Sequence, residues 1–260
     1  MKKIIVVLFV LLTLVATVTG CTTEKYEIKK VNDIYYLYLR GLSDEKIQEI
    51  VNGCEAAPYV EFASIEEMRD KLTSGKVPYE EMEEFVFYQS DGVDGIQICD
   101  LDAMLQPQLP EEMSYNVRWY GARYVFNLFS EDQRIGYISE ESKDFYDILV
   151  ARFSNYGEYL SNRTLVSNVA LQETAEETCV YNYLESSRNM KARVYTLEVN
   201  DTRLYIEEVY ALDESELIPE SLWIYGEGNG IYFLSCLENF AAYPSTDWLS
   251  QFSLTPNVSG

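Results

Sequence analysis

The chain predicts an α+β fold of antiparallel sheets and a β-meander with several helices. Three observations predict it. Alternating apolar and polar residues recur along most of the 260 residues, the period of half-buried strands. Only a few windows carry apolar residues at helical spacing, and capping residues bound them. Strand candidates also follow one another through short turns, without a helix after each, which favours hairpins over parallel βαβ units. Hydrophobic residues make up 47% of the chain, enough for the core of one large domain or two small ones.

The elements follow in order. Tyr26 to Val31, the turn Asn32–Asp33, and Ile34 to Arg40 form a hairpin. In its second strand Tyr35, Leu37 and Leu39 share one face; Tyr36, Tyr38 and Arg40 share the other. Ile47, Ile50 and Val51 have helical spacing, ended by Gly53. Ser64-Ile65-Glu66-Glu67 is a capping box, Ile65, Met68 and Leu72 form the stripe behind it, and Gly75 ends that helix. Pro78 opens a short turn through Glu84. Strands Phe85 to Gln89 and Gly95 to Asp100 flank a turn-rich link. Met113 to Tyr120 and Ala122 to Phe129 form another pair, with Tyr124, Phe126 and Leu128 inward and Arg123 and Asn127 outward.

Phe145, Ile148, Leu149, Arg152, Phe153 and Tyr156 mark the clearest helical face, closed by Gly157. Residues 158–178 are polar and without clear period, and the division of the chain is placed there. An N-terminal α+β lobe (21–157) then precedes a C-terminal β-meander lobe (158–260). The meander comprises Cys179 to Leu184, Arg193 to Val199, Arg203 to Leu212, Ser221 to Tyr225 and Gly230 to Leu237. Within it Tyr195, Leu197 and Val199 alternate with Val194, Thr196 and Glu198, and Asn200–Asp201 makes a turn. Ser245 caps a short terminal helix from Thr246 to Phe252.

Leu-Asp, Pro-Glu, Tyr-Gly and Phe recur in that order from Leu101 and from Leu212. This echo raises the expectation of two related β-lobes. The plain alternative is that Pro, Asp and Gly punctuate any hairpin.

The N-terminus is an export signal. Lys2 and Lys3 precede an uncharged apolar run from Ile4 to Val18, shorter than the ~20 residues of a membrane span. Val18-Thr19-Gly20-Cys21 resembles the lipobox of bacterial lipoproteins, a resemblance covering residues 1–22. Val18 stands where leucine is commonest. The resemblance implies removal of residues 1–20 by cleavage between Gly20 and Cys21, and a diacylglyceryl group on the Cys21 sulfur. It also implies anchorage on the extracytoplasmic face of a cell membrane. Two acyl chains hold a protein stably, at about 0.8 kcal/mol per buried CH₂. The five residues from Cys21 to Lys25 reach at most roughly 17 Å, so the body is expected close to the membrane surface.

Composition excludes several functions. Net charge is −23, from 43 acidic and 20 basic residues, and the export signal takes away two lysines and no acid. Such a body is repelled by nucleic-acid phosphates, so no nucleic-acid partner is expected. The chain contains no histidine, which rules out His-based triads and His-ligated zinc. No cofactor and no metal are expected. Cys54, Cys99, Cys179 and Cys236 lack any C-x-x-C spacing. They suit either up to two disulfides outside the cytoplasm or small buried hydrophobes.

Apparent motifs fail on inspection. With Gly95 at loop position six, Ser90-Asp91-Gly92-Val93-Asp94-Gly95 puts Gly92 third and Leu101 last, unlike an EF-hand. Gly226 and Gly228 lack a third glycine, because Ile231 occupies its place. Asp70 and Val77 break a P-loop around Gly75–Lys76. Ser139 and Lys143 belong to no Ser–Lys signature. Paired carboxylates can hydrolyse glycosides without histidine, but 43 acids single out no pair.

Aromatic residues are the remaining lead. Among 22 tyrosines and three tryptophans, Tyr36, Tyr38, Trp119, Tyr120, Trp223 and Tyr225 are candidates for stacking on a flat ligand. Tyrosine also favours strands, with a buried ring and a wet hydroxyl. The expected function is a lipid-anchored binding or interaction module for a protein, a wall component or a small molecule. A carboxylate-dependent hydrolase and a structural envelope component are the alternatives.

Overall fold

A computed structural model describes residues 26–39, 43, 45, 48–49, 52, 59–78, 81–82, 95–175, 178–199, 202–212, 219–228, 230–238 and 253–258. The stretch that resembles a lipobox, with Gly20 and Cys21, lies outside them. So do Cys54, the expected strand at 85–89, the turn at 200–201, the terminal helix at 246–252 and the apolar residues of the helix expected before Gly53.

The described strands, in chain order, begin with β1 (Tyr26–Val31), β2 (Ile34–Leu39), β3 (Val60–Phe62), β4 (Ile96–Gln97) and β5 (Ala103–Gln108). Next come β6 (Met113–Trp119), β7 (Tyr124–Ser130), β8 (Gln133–Glu141), β9 (Val166–Ala175) and β10 (Thr178–Glu185). The last are β11 (Arg188–Val199), β12 (Thr202–Ala211), β13 (Pro219–Gly228), β14 (Ile231–Leu237) and β15 (Ser253–Val258). The helices described over their full length are α1 (Ile65–Ser74), α2 (Lys143–Ser154) and α3 (Tyr156–Ser161).

One ten-stranded sheet dominates, in the order β3-β6-β7-β8-β14-β13-β12-β11-β10-β9. Every neighbouring pair in it is antiparallel. The protein is therefore mostly β, with antiparallel sheets and a few helices. A three-stranded sheet (β1-β2-β4) and the ribbon β15–β5 complete the described strands. The β8–β14 pair, with Tyr137 opposite Cys236, joins the early strands to the meander. Strands from both sides of residue 157 thus share one sheet, and the expected division at 157/158 falls inside α3.

Turn chemistry explains several strands. Asn32–Asp33, Glu131–Asp132 and Ser186–Ser187 all have positive φ at both residues, the conformation of two-residue hairpins that match strand twist. Asn-Asp advertises such a turn; Glu-Asp and Ser-Ser do so poorly. The cap of α1 forms at the expected residues, with Glu67 reaching one residue further back than in a capping box, to the Ala63 amide. Ser64 Oγ accepts the Glu67 amide at 3.1 Å, Glu67 accepts the Ala63 amide at 2.7 Å, and Gly75 closes the helix at φ 66°.

The sheet has two covered faces. The inner face carries Val117, Trp119, Phe126, Leu128, Ile138, Leu204, Ile206, Ile224 and Phe233. Against it pack α1 through Ile65, Met68 and Leu72, β5 through Met104 and Leu105, and the small sheet through Tyr26 and Leu37. The other, helix-side face is roofed by α2 and α3.

Four expectations change. Helix α2 buries Tyr146 and Leu149, while Phe145 and Ile148 stay 41% and 68% exposed, so the buried stripe is rotated by about one residue. Its end is Ser154, and Gly157 sits within α3. Asn127, expected outside, is buried on the helix-side face, where its Nδ2 donates to Asn116 Oδ1 at 2.9 Å. The two Tyr-Gly steps of the echo are not equivalent. Tyr120–Gly121 lies in the β6–β7 turn, with Gly121 at φ 80°, whereas Tyr225–Gly226 lies within β13. Gly226 is needed there for space: a Cβ would lie 2.2 Å from the Phe233 ring.

Candidate functional site

The row across the helix-side face runs Cys179, Val194, Glu207, Trp223, Cys236, each opposite the next on neighbouring strands. Its centre is a carboxylate. In the β12 stretch Arg-Leu-Tyr-Ile-Glu-Glu-Val-Tyr, consecutive acids must point to opposite faces. Glu207 points to the helices and Glu208 to the inner face, and both are buried.

Helix α2 supplies the answering cation. Tyr156 Oη donates to Glu207 Oε1 at 2.6 Å, and Arg152 Nη2 donates to Glu207 Oε2 at 3.2 Å. The Arg152 guanidinium also lies 4.6 Å from the Tyr225 ring centroid and 5.1 Å from that of Tyr159, a stack that desolvation strengthens. Burial, followed by the Glu207 charge, holds the Tyr156 phenol far above its ordinary value, so Tyr156 remains a donor.

Beside this cluster, α2, α3 and the sheet line a half-open cavity of about 460 Å³, within the range of roughly 300–1,000 Å³ usual for small-molecule sites. Its walls include Phe145, Arg152 and Tyr159 from the helical side and Tyr183, Glu207 and Trp223 from the sheet. Three carboxylates line it, and each meets an arginine: Glu207 with Arg152, Glu185 with Arg163, Glu220 with Arg188.

Two polar atoms of the wall are left over. Arg152 Nε and Tyr183 Oη are buried and have no hydrogen-bond partner among the described residues. Tyr183 is only 4% exposed, and burial pushes its phenol up, so it keeps its proton. A buried donor left unsatisfied costs about 1–3 kcal/mol; both atoms lie behind the cavity surface, out of contact with its open space.

The aromatic candidates separate. Trp223 and Tyr225 both line the cavity. Tyr36 and Tyr38 lie on β2, their rings 6.5 Å apart, with Lys29 Nζ 5.5 Å from the Tyr38 ring. Tyr120 leans on Tyr59 at 5.8 Å, with Arg123 5.5 Å from its ring. Trp119 is corrected: it is fully buried in the inner core, opposite Val60 and Tyr124, where no ligand reaches it.

The cysteines divide likewise. Cys99, Cys179 and Cys236 are free thiols. Cys179 and Cys236 stand four strand spacings apart, each about 4.8 Å. Two disulfides among four cysteines would need one bond among these three, and this structure holds none there. Burial raises the Cys99 and Cys236 thiols to about 12. Ser139 and Lys143 do not meet: Ser139 Oγ donates to Glu141, and Lys143 pairs with Asp147.

Arg152, Tyr156, Tyr159, Tyr183 and Glu207 were not singled out as site residues from the sequence. Only Arg152 and Glu207 carried a sequence signal. Arg152 is a cation on an otherwise apolar helical face, and Glu207–Glu208 is an acidic pair inside an apolar strand. Each needs a buried counter-charge.

Searches of protein-family models, curated proteins and solved structures find no match to this chain. Among the described residues, no helix is long and apolar enough to cross a membrane.

Proposed function

We propose that this protein is a lipid-anchored, extracytoplasmic binding module that holds a small ligand in the cavity beneath α2 and α3. The observation that carries the site is the wall itself. Arg152, Glu207 and Tyr156 are already locked together, and Arg152 and Glu207 line the cavity beside Trp223 and Tyr225. A site assembled in advance loses little freedom on binding. The anchor rests on Val18-Thr19-Gly20-Cys21. The carboxylate-hydrolase alternative draws less support, because every acid of the wall is engaged by an arginine.

Two experiments test the proposal. Cys21→Ser should move the protein from membranes to the soluble fraction and abolish acyl labelling; retention on membranes without label on the wild type overturns the anchor. In a thermal-shift screen of sugars, wall fragments, amino acids and lipids, a ligand at 100 times its Kd stabilises by about 2.7 kcal/mol. That corresponds to about 5–10 °C for a chain of this size. A flat response across the panel favours the structural-component alternative.

A further inference from the structure

We infer that β9 is a self-pairing edge: two copies of this chain join their β9 strands antiparallel, about a two-fold axis at Asn168. The ten-stranded sheet ends in β3 on one side and β9 on the other. The two ends are guarded unequally. Strand β3 has three residues, and its Glu61 is held by Arg118 at 3.0 Å. Strand β9 has ten residues and pairs with β10 on one side; among the described residues no strand meets its other side. A free edge presents a row of backbone donors and acceptors that a further strand can take up, and folds usually protect it with charge, proline or shortness. From Thr164 to Gln172 the chain has no charged residue, no proline and no glycine. Against β10 the strand carries extra residues at Ser167 and Gln172. These bulges bend the edge and leave Asn168 to Leu171 in regular pairing.

The order of residues selects a second copy as the occupant. Antiparallel pairing of two identical strands about Asn168 sets each position opposite the one equally far from the axis on the other copy. In Arg163-Thr164-Leu165-Val166-Ser167-Asn168-Val169-Ala170-Leu171-Gln172-Glu173 this places Leu165 of one copy against Leu171 of the other. These leucines are 62% and 55% exposed, so pairing takes apolar surface out of water on both sides of the axis. Further out, the basic end of one edge, Arg163, comes to the acidic end of the other, Glu173. Arg163 lies in the turn that feeds β9 and keeps 37% of its side chain exposed beside Glu185.

Charge points the same way. A net charge of −23 opposes the approach of two copies, whereas this edge is uncharged along its length and opposite in sign at its ends. Pairing stops at two chains, because the edges left over are both β3.

Sedimentation of the full chain over a concentration series, with detergent micelles in large excess over protein, tests the inference. Wild type should pass from one chain to two as concentration rises. Leu165→Glu and Leu171→Lys each change an exposed side chain, so melting temperatures should hold while the dimer dissociation constant rises at least tenfold. Within one chain the two positions lie about 20 Å apart at strand rise, too far to pair, but across the axis each new acid faces a new base. The double variant should therefore regain the dimer at low salt and lose it again at high salt. A wild type that stays single at every concentration overturns the inference and leaves the edge to an extended segment of a different protein. Dimers indifferent to both substitutions place the contact elsewhere and overturn it as well. Loss in both single variants with no recovery in the double variant overturns the axis at Asn168.

Discussion

On the inner face of the ten-stranded sheet, Phe126, Ile138, Ile224 and Leu204 meet apolar cover from α1, β5 and the small sheet. One residue along each of those strands, on the helix-side face, stand Asn127, Tyr137, Tyr225 and Tyr205. The inner core is almost wholly hydrocarbon at its centre. The helix-side layer is built of tyrosines, an arginine and an acid, with a cavity among them. Both faces are roofed, so cover alone does not separate them. The difference lies in what the roof brings. Helix α1 presents Ile65, Met68 and Leu72, whereas α2 and α3 present Arg152, Tyr156 and Tyr159. A dry core excludes ligands by filling its own space; a layer of large rings with polar tips packs less completely and keeps unsatisfied donors.

Truncations should expose this contrast most strongly. Phe126→Ala removes a fully buried ring from the inner core and should cost about 3–5 kcal/mol. Phe153→Ala, from the partly buried junction between α2 and the sheet, should cost clearly less. Urea denaturation of both variants checks it, and equal losses would mean that the two layers are equally tight.

Adjacent acids on one strand give a finer comparison. Glu207→Ala strands Arg152, 18% exposed, and the buried Tyr156 hydroxyl, for an expected loss of about 3 kcal/mol. Glu208 accepts from Tyr195 at 2.8 Å and Tyr210 at 2.6 Å, but its arginine, Arg193, is 47% exposed and can turn to water. Glu208→Ala should therefore cost about 1–2 kcal/mol. Midpoints in urea at neutral pH decide the order.

The smallest effect concerns pH. Glu140, at the margin of the inner core, accepts from Tyr124 Oη at 2.7 Å. Desolvation of its carboxyl raises its pKa, against the lowering effect of that hydrogen bond. A raised carboxyl binds its proton more tightly in the folded state. Its contribution is thus fully present below the unfolded value of about 4.3 and lost as pH rises through the folded one. Glu140→Gln should melt higher than wild type at pH 7, with the advantage shrinking towards pH 4. A constant difference across that range would remove Glu140 as the cause.

Much of the architecture was legible in residue order. Asn32–Asp33 between two alternating runs specified the first hairpin. Ser64, Glu67 and Gly75 marked both ends of α1, and Tyr124, Phe126 and Leu128 marked the inward face of β7. Strands β3, β5, β8, β9 and β15 are absent from the sequence reading. Glu131–Asp132 is a weak turn signal, and β8 is buried at Ile135, Gly136, Ile138 and Ser139, so its alternation is blurred. Of the site, Trp223 and Tyr225 were visible as aromatics, whereas Trp119 looked equivalent and lies in the core.

The amino-acid order by itself determined the strand and helix periods, the caps, the acidic composition, the absence of histidine chemistry and the resemblance of Val18-Thr19-Gly20-Cys21 to a lipobox. Tertiary structure alone decided which face each strand residue meets and what covers it. A period of two divides a strand into two faces without saying which is dry. Arg152 reaches Glu207 across 55 positions of sequence, and Trp223 comes beside Glu207 only through the β12–β13 register. A tyrosine in a strand can pack in either layer. Its role follows from the partner that long-range pairing sets against it, and local order does not encode that partner.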